Sequence, residues 1–106
     1  MSETRAFRVT YDVRPPEMIS QLSVSINLLP AEKRALGLVG PSKLRRQMPG
    51  APDAIHDGMT VTLVYSAEAL AIARIGKQPN MHTLRIQVVD RLLNYLQELH
   101  EDVVPR

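Results

Sequence analysis

The chain has 106 residues, 44% apolar and 23% charged, a size and balance that suit one small folded domain and not a disordered tail. It contains no cysteine, which excludes disulfides, thiolate chemistry and cysteine-ligated zinc. Residues 1–50 carry eight Lys/Arg against four Asp/Glu and residues 51–106 five against seven, so any basic surface belongs to the first half.

The first residues lack the apolar stretch of a secretory signal, and no run approaches a membrane span. Together with the missing cysteines this leads us to expect a cytoplasmic protein whose residues 1–106 form a single domain, with loose ends at 1–4 and 103–106. Phe7, Val9, Tyr11 and Val13 alternate with Arg8, Thr10, Asp12 and Arg14. That period of two predicts a strand over 5–14, stopped by Pro15-Pro16. In residues 18–29, Leu22, Val24, Ile26 and Leu28 alternate with Gln21, Ser23, Ser25 and Asn27. A helix would align Met18, Ile19, Leu22, Ile26 and Leu29 but would strand Val24 and Leu28 on the other side. The β-branched residues favour a strand over 21–29, paired with the first through a loop near 15–20.

Pro30 and Gly37 bracket a short helix over 31–37, with proline at the start and glycine past the end. A second short helix is expected over 42–48, closed by Pro49-Gly50, and the Pro/Gly-rich residues 49–58 read as a loop. Met59 to Tyr65 return to period two and predict a strand over 59–65. The Ala/Glu-rich run 66–75 is expected to be a helix capped by Ser66, the alternative being a strand paired back on 59–65. The fold class is therefore α+β: a small antiparallel sheet, short helices and one long C-terminal helix.

That last helix is expected over 81–101, with Asn80 as its N-cap and no internal proline or glycine. At about 100° per residue its apolar side chains spread over roughly 200°, about twice the stripe of an ordinary surface helix. Such width invites a second chain, and a two-fold homodimer is the simplest one. Ile86, Val89, Leu93 and Leu96 are the candidate partner interface.

Constellations for chemistry are sparse. His82 and His100 share a helical face but stand about 27 Å apart at 1.5 Å per residue, too far for one metal ion. Asp53, His56 and Asp57 place carboxylates beside an imidazole, yet no nucleophile elbow or oxyanion loop accompanies them. No catalytic residue, metal or cofactor is assigned, and no small-molecule substrate is suggested.

Gly37-Leu38-Val39-Gly40 sits between the two short helices. Over residues 31–48 this arrangement resembles the helix–GXXG–helix core of KH domains, which implies a loop that clamps a nucleic-acid backbone. The chain departs from that pattern with apolar Leu38 and Val39 inside the motif and with Pro41 at the start of the second helix. Lys33, Arg34, Lys43, Arg45 and Arg46 surround it and, with Gly37 and Gly40, form the candidate nucleic-acid-binding set. The sequence thus predicts a non-enzymatic interaction or assembly module that self-associates through its C-terminal helix, with nucleic-acid binding through 31–48 as the alternative.

Overall fold

A computed structural model describes residues 5–14, 18–75 and 80–103. The expected loose ends at 1–4 and 104–106 lie outside the described residues, as do 15–17 of the loop expected near 15–20, whose residues 18–20 belong to a strand. Val103, expected in the loose C-terminal end, closes the last helix. The elements are β1 (Phe7–Arg14), β2 (Met18–Asn27), α1 (Pro30–Val39), α2 (Pro41–Gln47), β3 (Asp53–Asp57), β4 (Thr60–Ser66), α3 (Ala67–Ile72), α4 (Met81–Leu84), a π-helical turn (Arg85–Val89) and α5 (Asp90–Val103). The fold is α+β, as the sequence predicts.

The four strands form one antiparallel sheet in the order β1-β2-β4-β3. The alternation of β2 and β4 sets its two faces. Val24 opposes Leu63, Leu22 opposes Tyr65 and Ile26 opposes Val61, and all six side chains are buried. The intervening Ser23, Ser25, Thr62 and Val64 face the other way, where none of the described residues is buried. There the Ser25 and Thr62 hydroxyls pair at 2.7 Å across the strands. The helices thus cover one side only. On β1 the apolar face is half-buried at Phe7 and Val9 and open at Tyr11 and Val13, where a register shift falls between Asp12 and Val13.

One strand departs from expectation. Residues 53–57, read as loop, pair with β4 through the two-residue turn Gly58–Met59. Of these two only Gly58 has positive φ, the pattern of a type II′ hairpin turn. The Pro49–Gly50 turn before it is packed from the other side. A Cβ on Gly50, which holds φ at 80°, would collide with the Ala69 carbonyl of α3, so only glycine fits.

The cover is built from α1, α2, α3 and the C-terminal helix. Ser66 caps α3, its hydroxyl accepting from the Ala69 N–H at 3.1 Å, and Asn80 caps α4 through the Thr83 N–H at 2.8 Å. The C-terminal helix buries Leu84, Val88, Val89, Leu92, Leu96 and Leu99. In a regular helix a spacing of four drifts the stripe by about 40° per step. The π turn bonds one residue further along, so each residue advances less than 100° and Leu84 returns to the line of Val88 and Leu92. The buried arc is accordingly narrower than ideal geometry predicts.

A polar clasp ties the first strand to this layer. Glu32 Oε1 accepts from Arg5 Nη1 at 2.6 Å and from the Leu29 N–H at 2.8 Å, the N-cap end of α1. Both charged side chains are about seven-eighths buried, at 14% and 13% exposure. Arg85 donates to the Arg5 carbonyl at 2.9 Å and lies 4.8 Å over the Phe7 ring.

The Tyr65 hydroxyl is buried without a hydrogen-bond partner among the described residues. Burial pushes its phenol up to about 12 from an ordinary 10, against a smaller opposing pull from Arg91. The unfolded chain releases this proton near the lower value and the folded chain near the higher one. The contribution of the neutral phenol is therefore full below pH 10 and is lost as pH rises toward 12. Urea unfolding at about pH 9 and about pH 11.5 should show the wild type losing about 2 kcal/mol more than Tyr65→Phe. At the lower pH the variant should be no less stable, because the hydroxyl it lacks has no partner.

Candidate functional site

Helix α1 divides its residues sharply. Ala35 and Leu36 are buried against the core, and Glu32 is drawn into the clasp. Lys33, Arg34, Gly37 and Leu38 remain exposed. The end of β2 brings this exposed side beside the β3–β4 turn, where the Leu28 N–H donates to the Met59 carbonyl at 2.6 Å. Between the two lies a shallow cleft of about 500 Å³, lined by Pro30, Lys33, Arg34, Gly37, His56 and Met59.

None of these lining residues is acidic. The alternation of β3 explains why His56 enters the cleft without its carboxylate neighbours. Asp53, opposite Val64, and Asp57, opposite Thr60, belong to the uncovered face, while His56, opposite Val61, belongs to the covered one. The cluster of Asp53, His56 and Asp57 is thereby split. His56 Nε2 sits 3.1 Å from the Gly58 carbonyl oxygen. A carbonyl only accepts, so Nε2 carries the proton and Nδ1 stays free.

Gly37 is unusual in this setting. It stands inside α1, where glycine is about 1 kcal/mol worse than alanine, yet a Cβ there would meet nothing within 4 Å. Packing does not ask for glycine; only the open cleft borders it.

The KH resemblance implies a loop across 37–40. Instead α1 runs on to Val39, two residues past its expected end, because Gly37 keeps a helical conformation. Gly40 alone, with φ at 85°, separates α1 from α2. In α2, Leu44 is buried and Lys43, Arg45 and Arg46 are exposed. Arg45 is engaged in holding the fold, since its Nε donates to the Ala51 carbonyl at 3.0 Å and lies 3.8 Å from Asp53. Lys33, Arg34, Lys43 and Arg46 make no ion pair among the described residues. The candidate set therefore falls into three parts: Lys33, Arg34 and Gly37 in the cleft, Gly40 at the break, and α2 with two free cations and one engaged. Sequence patterns alone do not join His56 and Met59 to it, although Gly58, in the first position of a two-residue II′ turn, is a hairpin signal that points to them.

The candidate partner interface fares differently. Val89 and Leu96 are fully buried in the chain's own core, Leu93 is half-buried, and Ile86 is exposed. The sheet and α1 together cover Val89 and Leu96, so the part of the arc left open to a second chain is Ile86 and the exposed side of Leu93. His82 is exposed, and the side chain of His100 lies outside the described ones. Among the described residues no group of three or more His, Asp or Glu is placed to hold a metal ion. No helix there is long and apolar enough to cross a membrane.

No protein-family model matches the chain, and neither a curated protein nor a solved structure is significantly similar to it.

The two glycines make opposite predictions for stability. Gly37→Ala should stabilise the fold by up to about 1 kcal/mol, since it gains helix propensity in open space. Gly50→Ala should destabilise it by about 2 kcal/mol or more, through collision and positive φ together. Chemical denaturation of both variants checks the contrast.

Proposed function

We propose that the chain is a non-enzymatic nucleic-acid-binding module that engages the phosphate backbone through α1 and α2. One observation carries this: across residues 30–48 the single carboxylate, Glu32, is turned inward onto Arg5, while Lys33, Arg34, Lys43 and Arg46 stay exposed and unpaired among the described residues. An ordinary solvated face mixes its signs, whereas this one has been cleared of the negative partner. Recognition rests on phosphates more than on base stacking. Among the described aromatic residues, Tyr65 is buried, Phe7 and Tyr95 are half-buried, and Tyr11 is exposed away from the cleft on β1. A cytoplasmic setting belongs to the same proposal.

The test is the salt dependence of binding to a labelled single-stranded oligonucleotide of mixed sequence, measured by anisotropy between about 50 and 200 mM salt. Removing two phosphate contacts with Lys43→Ala and Arg46→Ala should reduce the slope of log K against log[salt] by roughly 1.4. An unchanged slope, or no binding by the wild type at the lowest salt, would sink the proposal.

Self-association through the C-terminal helix is a second reading, favoured by Ile86, which is 52% exposed, and by half-buried Leu93 seven residues on. Charged Asp90 is exposed between them, which makes the strip narrower than a stable dimer uses. Sedimentation at high micromolar concentration should show a dimer that Ile86→Lys weakens without unfolding the monomer. A wild-type monomer there removes this reading.

A further inference from the structure

We infer that the cleft between α1 and the β3–β4 turn is a seat for one nucleotide unit, with its phosphate held by Lys33 and Arg34 and a donor group of its sugar or base accepted by His56. The seat deepens the nucleic-acid reading above and rests on it: the free cations of α2 gather a strand, and the cleft fixes one unit of it.

Four features point to this ligand class. The volume of about 500 Å³ falls in the range of small-molecule sites. Its ionisable lining groups are two cations and an imidazole, with no acid among them, so the site favours an anion. Arg34 offers a planar fork of donors suited to phosphate oxygens, and Lys33 adds a compact charge. His56, held through Nε2 by the Gly58 carbonyl, keeps Nδ1 as an acceptor for a hydroxyl or amino group of the nucleotide.

The remaining surface is apolar. Met59, 42% exposed, and Pro30 offer contact for a sugar or a base face, which suits a nucleotide better than a bare inorganic anion. Gly37 supplies room. A ligand resting on α1 meets backbone where any other residue would present a Cβ, so a mid-helix glycine that packing does not require becomes intelligible.

The experiment is amide and side-chain NMR of the full chain titrated with inorganic phosphate, with adenosine monophosphate and with the single-stranded oligonucleotide. With inorganic phosphate and with the nucleotide the expected result is saturable shifts confined to residues 33, 34, 37, 56 and 59, the nucleotide binding tighter, and the oligonucleotide should add shifts at residues 43 and 46. The combined Lys33→Gln and Arg34→Gln change should weaken nucleotide binding at least tenfold, and His56→Ala severalfold. Gly37→Ala should raise the melting temperature and yet weaken nucleotide binding at least threefold, a combination that a purely structural role does not produce.

Diffuse shifts over all cationic residues with the nucleotide alone, or a Gly37→Ala variant that binds it as the wild type does, would overturn the seat. Oligonucleotide binding that is indifferent to His56 and Gly37 would also overturn it while leaving the nucleic-acid reading in place. Saturation of the cleft by the nucleotide, with no oligonucleotide binding at any salt, would support the seat and replace the strand by a free nucleotide.

Discussion

A sheet covered on one side must hide that side with whatever the rest of the chain supplies, and nearly everything else in this structure follows from that demand. Leu22, Val24, Ile26, Val61, Leu63 and Tyr65 are each buried to within 2%. At about 1.5–3 kcal/mol per large apolar side chain, their burial contributes on the order of 10 kcal/mol, comparable to the whole net stability of a domain. No surface ion pair, at about 1 kcal/mol or less, competes with it. The C-terminal helix therefore belongs to the core before it belongs to any partner. Its Val88, Val89, Leu92 and Leu96 complete the layer, and the π turn rotates Leu84 into the same line.

The same demand shapes the charge distribution. β1 is an edge strand, half-covered, and needs attachment beyond its ladder to β2. Arg85 and Glu32 provide it from two different helices, one through the Arg5 carbonyl and the Phe7 ring, the other through the Arg5 guanidinium. Glu32 also satisfies the Leu29 N–H at the start of α1, a contact typical of an acid in the first turn. Because this carboxylate serves the fold, it no longer neutralises its neighbours Lys33 and Arg34. A structural bond thus creates the bare positive face on which the functional reading depends.

Much of this is legible in the sequence, for identifiable reasons. Strict alternation in 7–14, 22–28 and 60–65 locates three strands, and the Ser66 and Asn80 caps locate two helix starts. The fourth strand is hidden because prolines and glycines flank residues 53–57, and they outweigh the hairpin signal of Gly58 at the first turn position. Uniform rotation overestimates the width of the last helix, and nothing in Arg85–Val89 announces a π turn by composition. Val89 and Leu96 look outward for a related reason, since periodicity gives the width of an apolar arc but not how much of it the chain will cover. The basic residues of 31–48 are visible as a set. Their division between the cleft and α2, and the turning away of Glu32, require the tertiary arrangement.

The sharpest disagreement between local preference and structure sits at the cleft. Local preference ends α1 at Gly37, because glycine after a helix is the common stop signal. The chain instead carries the helix through it to Val39 and breaks only at Gly40. A sequence under no constraint but stability would place alanine at 37, where the space is open and the propensity gain is about 1 kcal/mol. Gly50 shows the contrasting case, a glycine that the fold itself requires through contact with Ala69. Sequences agree with their structures at most positions, and the departures gather where something other than folding sets the residue. Here the departure borders Lys33, Arg34 and His56, in the cleft whose charge the fold has left uncompensated.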